Sequence, residues 1–404
     1  MATVAIIGYG AAGVNAIIGL RNAGYSGEVR VFSNIDTLPY SPILTSYYAG
    51  GRKTYEECFP WSAEELDELN AQVIKEAVVE LDTAAHVVRT QTGEYSYDKC
   101  VIASGSTPTC AGFPEVEGGE YEPLVLRSMA DAQRLRDVLQ SPDCKRVLVS
   151  GASMVALKTL EACLDCGKQV TLVGMMPHVL DMNALPQAAE RFERGLREKG
   201  VQLRLGQTIA AVKREENALK VTFSNGESDA FDEISVSHGM KSNLDFVKKG
   251  TLEMDRALIV DEFMRTSDPD VYAAGDVAQA TELISGEKRI VGIWKNAALQ
   301  GACAGAAIAA ELAGVQPPAS CALPGSISSN TIAVDGTLFI SAGTIELNAD
   351  RRVEVRETDD MTVLYLYEGN RLVGFNLVCD HDEEGSVAYD TGAMLTLRIE
   401  AGLR

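Results

Sequence analysis

The chain lacks the long apolar runs that membrane proteins carry. No uninterrupted apolar stretch reaches the roughly 18 residues that a helix needs to span a bilayer. The first residues form no basic region followed by a small-residue cleavage site, and they already have the pattern of a strand. We therefore expect no membrane span and a cytoplasmic location.

Basic residues are also scarce. The 404 residues include 36 Lys and Arg against 57 Asp and Glu, which gives a formal net charge of −21. Such a surface repels nucleic acid and anionic membranes, so neither is expected as a partner. The charge steers in a mildly basic protein partner, or it serves only solubility, and the sequence leaves both interpretations open. The length predicts two or three domains.

Cysteine patterns typical of disulfide scaffolds and metal centres are missing from the sequence. The nine cysteines are scattered and odd in number, so reduced thiols are expected. Cys163 and Cys166 form a C-x-x-C pair without the second pair that a zinc site needs. They fall near a predicted helix end, which favours packing over redox use. No metal site is expected.

A glycine-rich turn stands at the beginning of the chain. TVAIIG is typical of a buried parallel strand, AAGVNAIIGLRNAG has helical spacing, and EVRVFS predicts a second strand. Between strand and helix, the glycines have the G-x-G-x-x-G spacing of a loop that holds a dinucleotide pyrophosphate at a helix N-terminus. The predicted contacts of this turn are Gly8, Gly10, Ala11, Ala12 and Gly13.

The end of the second strand departs from the usual pattern, in which an acidic residue binds the ribose hydroxyls. Here the stretch is VFSNIDTLPY, with Ser33 and Asn34 at that place and Asp36 as the nearest carboxylate. A hydroxyl and an amide also hydrogen-bond a ribose, though less strongly than a charged acceptor. Ser33 and Asn34 are the predicted ribose contacts.

The pattern returns from Lys145, in KRVLVSGASMVALKTLEACLDCGKQVTLVG. Strand, glycine turn, helix and strand follow in the same order, with Gly151 in the turn, Ser153 at the second glycine position and Met154 after it. Two such segments indicate two dinucleotides. A nicotinamide that reduces a flavin is the common reason for such a pair.

Four further segments resemble those of one flavoprotein family. YDKCVIASGSTPTCAGFPEVEG resembles the segment that closes a flavin domain, and TSDPDVYAAGDVAQA resembles the one whose aspartate contacts the FAD ribityl chain. RIVGIWKNAALQGACAGAAIA resembles the helix whose start faces the isoalloxazine, and SHGMKSNLDF the run before the chain returns to the flavin domain. Together they resemble the pyridine nucleotide-disulfide oxidoreductase class, in the branch of coenzyme A disulfide reductases, NADH oxidases and rubredoxin or ferredoxin reductases.

The resemblance implies that the N-terminal turn holds FAD and that the internal turn holds NADH or NADPH. The FAD contacts that it adds are Ser104, Gly105, Gly275, Asp276, Trp294, Ala297 and Gln300, with Lys295 near the flavin. The implied NAD(P) contacts are Gly151, Ser153, Met154, Gly174 and Gly239.

The implied fold class is α/β, with two Rossmann-like dinucleotide-binding domains and a C-terminal α+β interface domain. The FAD domain is expected at 1–112 and 246–318, the NAD(P) domain at 113–245, and the interface domain, which usually forms a homodimer in the family, at 319–404. In this last part, EGN between two apolar runs predicts a β-hairpin.

The predicted nicotinamide site departs from the family, which ends its second strand with an acid for NADH or with basic residues for NADPH. Here Gly174, Met175 and Met176 stand at that place, and Lys158 replaces a common helix glutamate. The methionines pack on an adenine face or simply on the protein. The sequence leaves open whether this site binds well, weakly or not at all.

The redox cysteine of the branch, found in a stretch like YANCALPYYIG, is also replaced. The stretch here is YSPILTSYYAG, with Ile43 at the cysteine position, and Ala11 has the place of the peroxidase histidine. An isoleucine neither attacks a disulfide nor forms a sulfenic acid. Cys58, further along the chain, is expected to be a partly buried structural thiol.

The sequence therefore predicts an FAD-dependent NAD(P)H:acceptor oxidoreductase without a redox-active cysteine. Motifs do not name its acceptor, which is a small molecule or a small redox protein: an iron–sulfur protein, a quinone, an organic substrate or oxygen. The alternative is an FAD-carrying electron-transfer subunit of a larger complex with a degenerate NAD(P) site. A non-catalytic protein that keeps FAD as a structural cofactor agrees least with the near-complete flavin motifs.

Overall fold

The computed structural model describes residues 2–216, 218–380 and 387–403. Short 3-10 turns lie at Glu56–Cys58 and Ala319–Cys321. The α-helices are α1 (Ala11–Asn22), α2 (Thr45–Ala49), α3 (Ala63–Glu68), α4 (Met129–Gln140), α5 (Met154–Asp165), α6 (Pro186–Glu198), α7 (Trp294–Leu312) and α8 (Val387–Gly402). In the part of the chain that the structure describes, no helix is both long and apolar enough to cross a lipid bilayer.

The strands are short, as in most α/β proteins. Those before residue 200 are β1 (Thr3–Ile7), β2 (Glu28–Phe32), β3 (Gln72–Ile74), β4 (Val78–Asp82), β5 (Val87–Thr90), β6 (Glu94–Ser96), β7 (Lys99–Ile102), β8 (Ser106–Pro108), β9 (Val116–Glu117), β10 (Arg146–Ser150) and β11 (Gln169–Gly174). Those after it are β12 (Gln202–Leu205), β13 (Ile209–Glu215), β14 (Ala218–Phe223), β15 (Ser228–Phe231), β16 (Glu233–Val236), β17 (Met240–Ser242), β18 (Leu258–Ile259), β19 (Val271–Ala273), β20 (Ala278–Thr281), β21 (Lys288–Arg289), β22 (Ser329–Val334), β23 (Thr337–Gly343), β24 (Arg351–Glu357), β25 (Met361–Glu368) and β26 (Arg371–Cys379).

The described residues form two compact units. The first unit consists of the residues up to Ser41, Glu56–Thr107 and Met240–Ile327, and the second of Pro42–Tyr55, Pro108–Gly239 and the described residues from Ser328 onward. This division is coarser than the three predicted domains, whose boundaries stay a prediction.

The first unit is built on a five-stranded parallel sheet in the order β19-β7-β1-β2-β3. Val4–Ile7 of β1 and Cys100–Ile102 of β7 are apolar and buried, as expected for strands covered on both faces. Two three-stranded sheets, β4-β5-β6 and β18-β20-β21, and the pair β17-β8 are also present.

Helices α1 and α7 pack together in the first unit at very short range. A Cβ atom added to Gly301 or to Gly305 would lie 2.1 Å from the carbonyl oxygen of Ala12 or Ala16, respectively. Side chains are therefore excluded at this crossing, and the two backbones touch directly. This contact fixes the start of α7 relative to the glycine turn that precedes α1.

The second unit contains three sheets. The parallel sheet β12-β11-β10-β16 is followed by β15-β14-β13-β9, and the C-terminal residues form the antiparallel sheet β22-β23-β26-β25-β24. The predicted hairpin is present: β25 and β26 pair from Glu368 and Arg371 outward. Helix α8 lies on this last sheet, where Ile399 is fully buried.

Buried polar contacts join the C-terminal sheet to α6 within the second unit. Asn376, fully buried on β26, accepts a hydrogen bond from the Leu185 N–H at 2.7 Å and donates to the Asn183 carbonyl at 2.9 Å. Arg191 of α6 forms an ion pair with Asp380 at 2.7 Å. Because such contacts are costly to leave unsatisfied, they fix one arrangement of this helix and sheet.

Candidate functional site

The first glycine turn joins β1 to α1. Gly8 has φ +108°, and its N–H donates to the Phe32 carbonyl at 2.8 Å. A Cβ on Gly8 would lie 2.2 Å from the carbonyl oxygen of Ala103, so only glycine allows this turn to pack against the end of β7. The turn therefore brings the carboxyl ends of three neighbouring strands together.

The beginning of α1 faces open space. Gly10 is the N-cap residue, and a Cβ added to it would meet nothing within 4 Å. The amide groups of the first helical turn, which begins with Ala11 and Ala12, have no partner within the helix. A concave, bare backbone with unpaired N–H groups fits a pyrophosphate. Gly13 keeps the helix close, because its Cβ would lie 2.1 Å from the Gly8 carbonyl oxygen.

The predicted ribose contacts follow β2. Ser33 is buried, its N–H donates to the Ile74 carbonyl at 3.0 Å, and its hydroxyl oxygen accepts from the Ile35 N–H at 3.3 Å. Asn34 and Asp36 are exposed. The strand end thus offers neutral polar groups, with the one nearby carboxylate in solvent.

Ser104 and Gly105 form a turn that Asn243 holds from the other part of the first unit. The Ser104 hydroxyl donates to the Asn243 carbonyl at 2.6 Å, and the Asn243 side-chain amide donates back to the Ser104 carbonyl at 3.0 Å. The Asn243 N–H donates to the Gly105 carbonyl at 2.9 Å. Asn243 was not predicted as a site residue, although it lies inside the SHGMKSNLDF run that carried the resemblance.

Asp276 lies directly after the β19 strand and the Gly275 turn. One of its carboxylate oxygens accepts a hydrogen bond from the Ser106 hydroxyl at 2.6 Å, and its carbonyl accepts from the Ser242 hydroxyl at 2.6 Å. The Gly275 N–H donates to the side-chain oxygen of Gln300 at 2.8 Å. Gln300 is almost fully buried, so its observed role is to hold this turn.

The start of α7 carries unsatisfied polar atoms. Trp294 Nε1 and Asn296 Oδ1 are buried without a hydrogen-bond partner among the described residues. The Trp294 ring stacks on Trp61, with centroids 5.8 Å apart, a contact that no sequence signal predicted. Ala297 is half-buried and Lys295 is exposed. Orphaned buried groups beside an apolar ring pair fit a polar aromatic cofactor, so the residues of this region are compatible with FAD.

The second turn repeats the construction of the first. Gly151 has φ +123°, its N–H donates to the Val173 carbonyl at 2.8 Å, and a Cβ there would lie 2.5 Å from the Ser237 carbonyl oxygen. Ser153, the N-cap of α5, is exposed and makes no side-chain capping bond; Met154 begins the helix. A free hydroxyl at a helix N-terminus is suited to a phosphate.

Gly239 and its neighbours close the far side of the second turn. Gly239 has φ +102°, and its carbonyl accepts from the Thr109 N–H at 3.0 Å. His238 Nδ1 donates to the Ala111 carbonyl, so its Nε2 accepts from the Ser150 hydroxyl, both at 2.8 Å. This histidine is a structural clamp. The Ser237 hydroxyl is buried without a partner in the described part of the chain, which fits a ligand at this edge.

The segment that carries Ile43 belongs to the second unit. Ile43 is 54% exposed, just before α2. Lys158 of α5 donates to the Tyr47 hydroxyl at 3.0 Å and to Glu161 at 2.8 Å, while Arg52 pairs with Glu161 at 2.7 Å. Burial lowers the pKa of Lys158, but the Glu161 carboxylate outweighs it and the net shift is upward. Lys158 is therefore committed to this network.

Burial determines the environment of several cysteines. Cys58 is fully buried, which is deeper than predicted, and burial raises the pKa of Cys163 and of Cys166. Thiols rather than thiolates are thus favoured at the C-x-x-C pair, and thiols are poor nucleophiles. Within residues 2–216, 218–380 and 387–403, no three His, Cys, Asp or Glu side chains group as ligands for a metal ion.

Comparison with known proteins identifies the family. Residues 2–301 match the family described as pyridine nucleotide-disulphide oxidoreductase. The chain is 32% identical over 291 residues to a rubredoxin-NAD(+) reductase of Pseudomonas putida, covering 70% of this chain and 74% of that protein. It is 27% identical over 367 residues to the NADH-dependent phenylglyoxylate dehydrogenase subunit epsilon of Aromatoleum evansii, covering 89% and 83%.

A solved structure agrees over the whole chain. The water-forming NADH oxidase of Lactobacillus brevis, bound to NADH, matches with a TM-score of 0.85 and 25% identity, over 98% of this chain and 91% of that chain. The chain belongs to the pyridine nucleotide-disulphide oxidoreductase family. The predicted fold class and the prediction of a flavoprotein oxidoreductase that uses FAD and a nicotinamide dinucleotide are confirmed. Which residues contact each dinucleotide stays a prediction.

Proposed function

We propose that this chain is an NAD(P)H:acceptor oxidoreductase in which FAD takes a hydride from NAD(P)H and passes electrons to an acceptor without help from a cysteine. Two glycine turns of the same construction support two dinucleotides. Ile43, exposed on the segment where the branch has its cysteine, supports transfer that bypasses a protein thiol.

The residues of the first unit would bind and orient the flavin dinucleotide. The bare backbone from Gly8 to Gly13 would hold the pyrophosphate, and Asp276, oriented by Ser106, would hydrogen-bond the ribityl chain. The N-terminal end of α7 carries the positive end of the helix dipole, which favours negative charge next to Trp294. Lys295, exposed one residue later, adds to that field.

The internal turn would bind NADH or NADPH reversibly. Gly151 allows close approach, the Ser153 hydroxyl is free for a phosphate, and the orphaned Ser237 hydroxyl would find its partner on the ligand. These residues would bind the nicotinamide dinucleotide. The boundaries predicted for the NAD(P) domain are also part of the proposal.

The acceptor is a small redox protein or a small molecule. The relative in Pseudomonas putida is named a rubredoxin-NAD(+) reductase, which supports a small iron–sulfur protein. The net charge of −21 would attract an acceptor with a basic face.

Anaerobic reduction tests the proposal. Purified flavin-loaded protein is mixed with NADH or with NADPH while the flavin absorbance is followed, and a rubredoxin is then added in excess. We expect bleaching by at least one donor and reoxidation of the flavin as the rubredoxin is reduced. Bleaching by neither donor, with FAD fully bound, would contradict a working nicotinamide site.

We also propose a cytoplasmic homodimer that associates through the C-terminal residues. Val387, Met394 and Leu397 of α8 are 74%, 65% and 63% exposed and lie on one side of the helix, a spacing that favours a partner surface. Light scattering should show a dimer that the double substitution Met394→Glu with Leu397→Glu dissociates. Val355→Glu, at an apolar residue of β24 that is 46% exposed, is the control and should leave the dimer intact.

One relative favours a second candidate function. The match to the epsilon subunit of Aromatoleum evansii extends over 89% of this chain, including C-terminal residues beyond the family match. The chain would then be the FAD-carrying subunit of a larger oxidoreductase. Purification of the tagged chain from its own cells, followed by native mass measurement, would reveal stable partner subunits, which the leading proposal does not require.

A further inference from the structure

The strand end at which nicotinamide enzymes distinguish their two donors is uncharged in this chain. NADH and NADPH differ only in a 2′-hydroxyl or a 2′-phosphate on the adenosine ribose, at the end of the second strand of the βαβ unit. Here β11 ends at Gly174, and Met175 and Met176 follow, 72% and 37% exposed. Neither a carboxylate nor a cation is available from these three positions.

The position that would carry a ribose-binding carboxylate is also closed by packing. A Cβ added to Gly174 would lie 2.8 Å from the Cβ of Ala152, which belongs to the glycine turn. Real Cβ atoms do not approach so closely, and neither atom is the end of a flexible chain. A side chain that reads the 2′ position is therefore excluded at residue 174 itself.

The turn after β12 supplies such a side chain. The Gln207 N–H donates to the Gly174 carbonyl at 3.0 Å, and the Gly206 N–H donates to the Met176 carbonyl at 2.9 Å. Gln207 is thereby held directly against the end of β11. Its side-chain oxygen is buried and has no hydrogen-bond partner among the described residues. A buried amide oxygen without a partner in the protein is open to a hydrogen bond from a bound ligand.

The cationic side chain closest to Gln207 in the sequence, Arg204, already has partners in the protein. Arg204 of β12 pairs with Glu227 at 2.6 Å, and its guanidinium lies over the Phe223 ring at 4.4 Å. Its Nε is buried without a hydrogen-bond partner among the described residues, but these two contacts fix the direction of the side chain. It pairs in register with Val173, one residue before the strand end. Arg204 is therefore held toward the β14 face by its own contacts.

We infer that Gln207 contacts the 2′ substituent of the bound dinucleotide and that this chain consequently accepts NADH and NADPH with similar affinity. The inference rests on the proposed function, since it takes the internal turn as the nicotinamide site. A carboxamide offers an oxygen that accepts from a hydroxyl and an NH₂ that donates to a phosphate, so it suits both donors. A carboxylate or an arginine suits only one.

Calorimetric titration of flavin-loaded protein with NAD⁺ and with NADP⁺ tests this without turnover. We expect the two dissociation constants to agree within about tenfold, because no charge-assisted contact separates them. Gln207→Glu should weaken NADP⁺ by about 30-fold or more through repulsion of the phosphate and change NAD⁺ by less than about threefold. Gln207→Ala should weaken both by similar factors.

Gln169→Glu is the matched control. Gln169 is exposed at the opposite, amino end of β11, so the same charge change there should leave both dissociation constants unaltered. Thermal unfolding of each variant checks that the fold persists.

A wild-type preference above about tenfold, or a Gln207→Glu variant with both affinities unaltered, would overturn the inference. Equal binding of NAD⁺ and NADP⁺ without flavin bleaching by the reduced forms would instead refute the proposed function and leave the inference standing. Failure of both dinucleotides to bind would overturn the two together.

Discussion

The two glycine turns have the same backbone construction but differ at two side-chain positions. Gly10 leaves the beginning of α1 bare, whereas Ser153 fills the same place before α5. Gly13 draws α1 against its turn, whereas the corresponding residue of α5 is Ala156, which carries a methyl group. The first turn is thus tighter and barer. This difference fits a cofactor that stays bound in the first unit and a donor that must leave the second unit in each cycle.

The largest effect is expected where the first turn is tightest. Gly8→Ala places a Cβ 2.2 Å from the Ala103 oxygen at a residue with φ +108°, so the free energy of unfolding should fall by more than about 4 kcal/mol. Urea unfolding measures it. Gly24→Ala is the control: its φ is +86° but its Cβ meets nothing, so a loss of about 1 kcal/mol is expected. Similar losses for both variants would mean that the clash is relieved elsewhere.

The next largest effect is expected at Asp276, the carboxylate among the predicted FAD contacts of the first unit. The predicted dinucleotide contacts of the second unit include no acid. Asp276→Asn preserves the hydrogen-bonding shape but removes the charge, so flavin occupancy after purification should fall at least about tenfold. The ratio of flavin to protein absorbance measures it. Calorimetric NADP⁺ affinity of the second unit should be unaltered. Full flavin occupancy would show that Asp276 has no role in binding FAD.

Reciprocal substitutions at the helix starts sharpen the comparison further. Gly10→Ala adds a methyl group into open space, so the apoprotein should unfold at the same urea concentration while flavin affinity falls by about tenfold. Ser153→Gly should recreate the bare turn and change the NADP⁺ dissociation constant by only about threefold, since one neutral hydrogen bond is exchanged for closer approach. Fluorescence titration of apoprotein with FAD and calorimetry provide the two values. A flavin affinity that is insensitive to Gly10→Ala would place the pyrophosphate away from this turn.

The smallest expected effect is a contrast in pH dependence between the units. Burial alone would raise the pKa of Glu311 in the first unit, but its hydrogen bond with Lys99 and the charges of Lys99 and Arg265 hold it below 4.5. Its stabilisation is present above pH 4.5 and is lost as the pH falls through that lowered value. Burial raises the pKa of Glu161 in the second unit, so its contribution is present below pH 4.5 and is lost as the pH rises through the raised value.

Thermal midpoints of Glu311→Gln and Glu161→Gln between pH 4 and pH 7 test this contrast. The destabilisation caused by Glu311→Gln should be greatest at neutral pH, and that caused by Glu161→Gln should be greatest in acid. The part of each effect that changes with pH is expected to be about 1 kcal/mol. Parallel pH profiles for the two variants would contradict the contrast, because they would mean that folding shifts the pKa of both carboxylates in the same direction.

The structural features that depend on residues close together in the sequence could be predicted. The two strand–turn–helix segments depend on contiguous residues, and the structure has them at the expected places, with Gly8 and Gly151 as the tight positions. The C-terminal hairpin follows from a turn between two apolar runs in the same way.

Features that depend on approach between distant residues could not be predicted. Asn243 holds the Ser104 turn across 139 positions of sequence, and Trp61 meets Trp294 from a segment without a motif. The closure of Gly174 by Ala152 depends on a distance below the contact limit, which composition and periodicity do not encode. The full burial of Cys58 is of the same kind.

The crossing of α1 and α7 has a consequence for synthesis on the ribosome. The surface on which α1 packs, around Gly301 and Gly305, is translated some 280 residues after α1 itself, and β19, the neighbour of β7, is also late. Helix α1 therefore emerges without the helix that packs on it, and β7 without its neighbour β19, while Pro108–Gly239 is already complete. We expect nascent chains arrested before Trp294 to depend on chaperones that shield exposed apolar strands, and release from that dependence to coincide with the appearance of α7.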